Sequence, residues 1–80
     1  MRRPRGVSGR ELAKKLKPFG YHVTRQVGSH MRLTTEKGGQ HHITIPAHQR
    51  LTIGKINAVL WELTRHFSIS RDELLETLFK

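Results

Sequence analysis

Three short runs in which apolar and polar residues alternate constrain the fold of this chain more than any other feature. Residues 21–27 read YHVTRQV, residues 30–35 read HMRLTT, and residues 41–46 read HHITIP. A period of two is typical of strands with one buried face, and the pairs Gly28-Ser29 and Gly38-Gly39 favour tight turns between them. The sequence therefore predicts an antiparallel three-stranded meander.

Within each run, parity divides the side chains between the two faces of the predicted sheet. The apolar set is expected to point inward and consists of Tyr21, Val23, Val27, Met31, Leu33, Ile43 and Ile45. The polar set is expected to point outward and consists of His22, Thr24, Gln26, His30, Arg32, Thr34, His42 and Thr44. A sheet patterned in this way needs a cover on its inward face.

A capping signal and a stop signal enclose a helix ahead of the first run. Ser8 is followed three residues later by Glu11, a spacing in which each side chain satisfies a free backbone amide at the helix start. Pro18 and Gly20 then end the segment. The sequence predicts a short amphipathic helix with a basic outer side.

Two further helices are predicted after the third run. Thr52 is a candidate N-cap, and the apolar stripe that follows it comprises Ile53, Ile56, Leu60, Leu63 and Phe67. Ser70 and Glu73 repeat the capping-box spacing, and the apolar side that follows them comprises Leu74, Leu75, Leu78 and Phe79. The predicted fold class is α+β, with a three-stranded antiparallel sheet and the helices packed on one face, in the order α-β-β-β-α plus a short C-terminal helix.

The size and composition of the chain limit the classes of protein to which it can belong. Its 80 residues predict one domain over 8–80, preceded by a basic arm over 1–7, and the domain is too small for a deep internal active site. The absence of cysteine excludes disulfides and thiolate metal sites. We expect no membrane span and no signal peptide, and therefore a cytoplasmic protein.

The charge of the chain is strongly positive and unevenly distributed. The net charge is +9, and residues 1–65 carry 13 basic and three acidic residues, whereas residues 66–80 carry two and three. Such a field attracts polyanions, of which nucleic acid is the commonest in a cytosol. The alternative is that the charge serves solubility alone.

The order of these segments resembles the HicA (YcfA-like) toxins of bacterial and archaeal toxin–antitoxin pairs. VSGRELAKKLKPFGYHVTRQVGSHMRL is similar to that family's first helix and hairpin, HHITIPAH to its third strand and loop, LTIGKI to the start of its second helix, and RDELLETL to its closing segment. The stretch WELTRHFSI is about one turn longer than the usual link, so we expect the second helix to be extended.

The resemblance implies a fold like that of double-stranded-RNA-binding domains and the activity of an mRNA interferase, a ribonuclease that cleaves mRNA. It also implies that the key histidine is that of the Gly-Ser-His motif, which is His30 here. The expected partners are mRNA and a HicB-type antitoxin that neutralises the toxin, and operator DNA is expected to be bound only through the antitoxin complex.

His30 has the chemistry that RNA cleavage requires. The 2′-hydroxyl of RNA is a built-in nucleophile, so no metal is needed, and a histidine can take or give a proton at cellular pH. Gly28 permits a tight turn with open backbone amides, and the Ser29 hydroxyl can donate to a phosphate oxygen. The competing interpretation is that Gly28 and Ser29 form only a turn and that His30 is an ordinary polar strand residue.

The sequence offers further candidates for phosphate contact and proton transfer. Arg25, Arg32 and Lys55 are candidate RNA-binding residues, and His42 and His48 are possible acid–base partners of His30. We expect no metal site and no cofactor, because His41 and His42 point to opposite sides of a strand and no cysteine or nearby carboxylate completes a ligand set.

Trp61 and the last helix leave two questions open. Trp61 falls well off the apolar stripe of its helix, so it either packs under the last helix, which we favour, or is exposed to another protein. The last helix either caps the core or pairs with a second copy. Two other functions fit the same pattern: a non-catalytic RNA- or DNA-binding module, and a protein-interaction domain for an acidic partner.

Overall fold

The computed structural model describes residues 6–79, and its secondary structure follows the predicted order. The elements are α1 (Gly9–Lys15), β1 (His22–Val27), β2 (His30–Thr35), β3 (His41–Pro46), α2 (Ile53–Phe67) and α3 (Arg71–Leu78), with one turn of 3-10 helix (Lys17–Phe19) after α1. The strands form a single antiparallel sheet in the order β1-β2-β3. The predicted α+β fold class, with the arrangement of a double-stranded-RNA-binding domain, is confirmed.

The core lies between one face of the sheet and the helices. Its completely buried members are Leu12, Leu16, Tyr21, Met31, Leu33, Ile45, Ile56, Leu60, Leu63 and Leu74. Leu75, Leu78 and Phe79 of the closing segment also belong to this core. Helix α3 therefore caps the core, which is the first of the two roles predicted for it. Within the described residues no helix covers the opposite face of the sheet, and the residues that point there decide what the domain can bind.

The three predicted helix caps are present. The Ser8 hydroxyl accepts from the Glu11 amide, and the Glu11 carboxylate accepts from the Ser8 amide, both at 3.0 Å. This backbone hydrogen bond from Ser8 is the main reason that the pKa of Glu11 lies below its usual value. Thr52 and Ser70 accept from amides in the first turns of α2 and α3. Helix α2 runs to Phe67.

A β-bulge in β1 overturns part of the parity prediction. Val23 faces Leu33, but the next pair joins Arg25 to Arg32, so Thr24 is an extra residue in β1. The Thr24 hydroxyl lies 2.9 Å from the Thr34 hydroxyl and 3.3 Å from the Arg32 carbonyl oxygen. Because one extra residue shifts the register by one, every side chain beyond the bulge changes face.

The second half of β1 is therefore reversed relative to the prediction. Gln26 faces Met31 on the inward side, whereas Val27 faces His30 on the outward side and is 61% exposed. The predicted inward position of Val27 and outward position of Gln26 are wrong. The outward face gains an apolar side chain directly beside His30.

Trp61 does not pack under α3, and that prediction is wrong. Its side chain is 63% exposed. Leu60, its neighbour in α2, is fully buried, and a helix rotates by about 100° per residue, which takes Trp61 off the buried stripe. The apolar side chains of α3 are themselves buried in the core, so none is left to cover an indole ring. Ile53, predicted as part of the same stripe, is also 51% exposed.

The start of the described chain lies against the core. Val7 is buried, and its carbonyl oxygen accepts from the Leu51 amide at 2.9 Å. Residues 1–5 of the expected basic arm lie outside the described residues. Within residues 6–79, no helix has the length and apolar character needed to cross a membrane.

Candidate nucleic-acid interface

The Gly-Ser turn places His30 at one end of the open sheet face. Gly28 has a φ of 58°, in the left-handed region that glycine adopts without steric cost. His30 is the first residue of β2, is exposed, and stands in register between Val27 and Pro46. The Ser29 carbonyl oxygen accepts from the Ala47 amide, which ties the turn to the chain after β3.

Two arginines face each other beside His30. Arg25 and Arg32 are cross-strand partners as a result of the bulge, and Arg32 is two residues from His30 on the same face. Both are exposed, and neither guanidinium has a salt bridge or hydrogen bond within residues 6–79. Like charges directly opposite each other destabilise a sheet, and a bound anion removes that cost. The two guanidinium groups therefore form a suitable binding site for a phosphate group.

The structure does not bring His42 next to His30. His42 faces Thr34 in register, and its Nδ1 atom lies 2.8 Å from the Thr34 hydroxyl. Four residues of β2 separate this position from His30, which is about 13 Å at the usual rise of a strand. Arg32 stands between them. His42 lies on the predicted face but at the other end of it.

His48 lies at the same end of the sheet as His30. It follows β3 by two residues, and the last residue of β3, Pro46, faces His30 in register. The His48 carbonyl oxygen accepts from the Gly9 amide at 2.9 Å, which fixes the loop to the start of α1. The side chain of His48 is exposed.

Lys55 lies beside the β3 edge of the sheet, on α2, and not on the open face that carries the arginine pair. It is in the first turn of α2 and borders a small groove of about 120 Å³ together with Ile43, Thr44, Ala58, Val59 and Glu62. Thr44 faces Arg32 in register on the open sheet face. The groove at Lys55 therefore begins beside the arginine pair and follows β3.

Sequence reasoning missed a polar cluster at the opposite end of β3. The His41 Nδ1 atom lies 2.7 Å from the buried Tyr21 hydroxyl, and its Nε2 atom lies 3.2 Å from a Glu62 carboxylate oxygen. The His66 ring stacks on His41 with centroids 4.4 Å apart. The carboxylate can only accept, so the His41 Nε2–H donates to Glu62, and the Tyr21 hydroxyl is the partner of the other ring nitrogen.

The hydroxyl of Tyr21 provides a direct test of this cluster. Burial and the charge of Glu62 raise the pKa of Tyr21 to about 12. The unfolded chain loses this proton near pH 10. The contribution of Tyr21 to stability is thus complete below about pH 10 and is lost as the pH rises toward 12.

Ultraviolet titration of tyrosinate is expected to give a midpoint near 12 for the folded chain and near 10 in denaturant, because Tyr21 is the only tyrosine. Glu62→Gln is expected to lower the folded midpoint, since it removes the charge and leaves the burial. Equal midpoints for the folded and unfolded chains would contradict the burial of the Tyr21 hydroxyl beside Glu62.

A second groove, of about 430 Å³, lies between α1 and β1. Its floor includes Val23, which is 46% exposed, and Leu33. Its basic lining residues are Arg10, Lys14 and Lys17. Among residues 6–79, no carboxylate lines this groove. For metals, residues 6–79 contain no group of three histidine, aspartate or glutamate side chains placed to hold an ion.

Together, these observations define a small cationic α+β domain whose open sheet face displays a histidine beside two facing arginines that make no salt bridge within residues 6–79. Comparison with protein-family models matches residues 9–63 to the family described as HicA toxin of bacterial toxin-antitoxin. The match covers α1, the whole sheet and most of α2. The chain belongs to the HicA toxin family of bacterial toxin–antitoxin systems. Searches of curated proteins and of solved structures gave no match.

Proposed function

We propose that this chain is the toxin of a type II toxin–antitoxin pair and that it cleaves mRNA in the cytoplasm without a metal ion, with His30 transferring a proton. The main support is one observation: an exposed histidine stands beside Arg25 and Arg32, which face each other without a carboxylate partner in the described chain. Such a pair favours a phosphate, and the histidine is within reach of the oxygens of the same phosphate.

The reaction follows from the chemistry of RNA. The 2′-hydroxyl oxygen attacks the adjacent phosphorus, the bond from phosphorus to the 5′-oxygen breaks, and the products are a 2′,3′-cyclic phosphate and a 5′-hydroxyl. His30 either takes the proton of the 2′-hydroxyl or gives one to the leaving 5′-oxygen. Arg25 and Arg32 stabilise the charge that grows on the phosphate, and Ser29 donates to one of its oxygens.

The second proton must be handled by a different group. Of the two histidines considered, His48 is better placed than His42, because its loop adjoins Pro46, the cross-strand neighbour of His30. His42 faces Thr34 at the other end of β2. We therefore propose His48 as the acid–base partner.

A HicB-type antitoxin is the proposed protein partner, and operator DNA is bound only in its complex. The groove between α1 and β1 suits a protein segment with an apolar side, because its lining includes Val23, Met31 and Leu33. Its rim carries Arg10, Lys14 and Lys17. An acidic segment with an apolar side complements this groove in both charge and surface.

Incubation of the purified chain with single-stranded RNA tests the activity. We expect products with cyclic phosphate ends, an unchanged rate in excess EDTA, and inhibition by an equimolar HicB-type protein encoded beside the gene. Loss of cleavage in EDTA would overturn the metal-free mechanism. Salt-dependent RNA binding with no cleavage product would instead support the alternative function, a non-catalytic RNA- or DNA-binding module.

A further inference from the structure

A groove beside the second half of α2 has no role in the reaction just described. We call it the tryptophan groove; it has a volume of about 400 Å³ and is lined by His41, Trp61, Glu62, Arg65 and His66. Trp61 is 63% exposed, the highest value among the large apolar side chains of the described chain. The guanidinium carbon of Arg65 lies 5.4 Å from the centroid of its ring. An exposed indole next to a cation requires an explanation.

The tryptophan groove continues the groove at Lys55. Glu62 lines both of them. Thr44 in the groove at Lys55 faces Arg32 in register, and Trp61 lines the tryptophan groove. The two adjoining grooves therefore lie between the proposed cleavage site and the exposed indole.

We propose that the tryptophan groove is a second contact site for single-stranded RNA, in which one base stacks on Trp61 and its phosphate binds Arg65. The proposal rests on the proposed function, because it concerns the same RNA strand. An aromatic ring accepts the face of any base, and a neighbouring arginine adds charge attraction to the phosphate. Arg65 makes no salt bridge or hydrogen bond within residues 6–79, so its charge is available.

The groove is held in shape before any ligand binds. His41 is fixed between the Tyr21 hydroxyl and the Glu62 carboxylate, and His66 stacks on it. The Nε2 atom of His66 lies 2.9 Å from the Lys37 carbonyl oxygen. A preformed site loses less entropy when it binds a flexible strand.

The hydrogen-bonding pattern of the groove favours RNA over a protein segment as the occupant. The Glu62 carboxylate is already hydrogen-bonded by His41, whereas the Arg65 guanidinium has no partner within residues 6–79 and is available to a phosphate. Arg65 and His66 also lie beyond residues 9–63, the part that matches the family. His41, Trp61 and Glu62 lie within it, so the groove joins the matched part of the chain to the last turn of α2.

The distance between the two sites defines the RNA length that the test needs. His41 and Pro46, at the two ends of β3, are five residues apart, which is about 17 Å. A dinucleotide bound at His30 does not reach Trp61, whereas a longer strand does. Trp61 is the only tryptophan, so its fluorescence reports on this groove alone.

The experiment uses the full chain with His30→Ala, so that RNA is bound but not cut. A single-stranded RNA of roughly 12 nucleotides is expected to quench Trp61 fluorescence, and a dinucleotide at the same concentration is not. In the same background, Trp61→Ala and Arg65→Ala are each expected to weaken binding of the long RNA about 10-fold, measured by fluorescence anisotropy of labelled RNA. Ile53→Ala, at another exposed apolar position of α2, is the matched control and is expected to change binding less than about twofold.

The outcomes separate this proposal from the proposed function. If the long RNA binds without changing Trp61 fluorescence, or if Trp61→Ala binds as well as Ile53→Ala, the second site is wrong and the cleavage site is unaffected. If the chain with His30 intact neither binds nor cleaves RNA, both proposals fail. If Trp61 fluorescence responds to the antitoxin and not to RNA, the groove is a protein interface and the proposal is overturned.

Discussion

Replacing His30 with alanine is expected to abolish RNA cleavage and leave the fold intact. Loss of one proton-transfer group lowers a rate by about 10²–10⁴-fold. The side chain of His30 is exposed and makes no hydrogen bond within the described chain, so the free energy of unfolding should change by less than about 0.5 kcal/mol. Cleavage of a labelled RNA and denaturant unfolding measure the two effects.

His22→Ala is the matched control for this substitution. His22 is also exposed, also belongs to the open face, and lies in register with Thr34, four residues along β2 from His30. We expect it to cleave RNA at nearly the rate of the natural chain. The His30→Ala chain should still bind RNA, because Arg25 and Arg32 remain. Cleavage by His30→Ala within threefold of the His22→Ala rate would rule out proton transfer by His30.

The fold could be predicted from the sequence because its signals are local. Alternation with a period of two, the Gly-Ser and Gly-Gly turns, and the three N-caps each depend on residues a few positions apart. The bulge at Thr24 could not be predicted in this way. It depends on which residue of β2 faces Arg25, and the alternation of YHVTRQV favours a strand without an extra residue.

The candidate site was predictable in part for the same reason. Gly28, Ser29 and His30 are consecutive, so the turn and the outward histidine followed from the pattern. The cross-strand pairing of Arg25 with Arg32 depends on the bulge, so the sequence pattern did not predict it. The cluster that shapes the tryptophan groove joins residues 21, 41, 62 and 66, and only the packing of α2 against the sheet edge brings them together.

Gly9→Ala is expected to be the most destabilising single-methyl change in the described chain. Gly9 is buried at the start of α1, and an added Cβ would overlap the Pro46 carbonyl oxygen and lie 2.9 Å from its carbon. It would also lie 3.1 Å from the Ala47 Cα atom. These are backbone atoms, so no rotamer change relieves the clash. We expect a loss of about 3 kcal/mol in the free energy of unfolding, measured by denaturant titration.

Gly54→Ala adds the same methyl group to the first turn of α2, where nothing lies within 4 Å. It should stabilise the chain by about 0.5 kcal/mol, because alanine favours helix more than glycine does. The opposite signs would show that close packing, and not the loss of glycine itself, causes the Gly9 effect.

Gly9 also donates to the His48 carbonyl oxygen, and Pro46 faces His30. A displaced α1 should therefore shift the loop that carries His48 and slow RNA cleavage, even where the Gly9→Ala chain remains folded. Equal free energies of unfolding for the Gly9→Ala and Gly54→Ala chains would contradict this explanation.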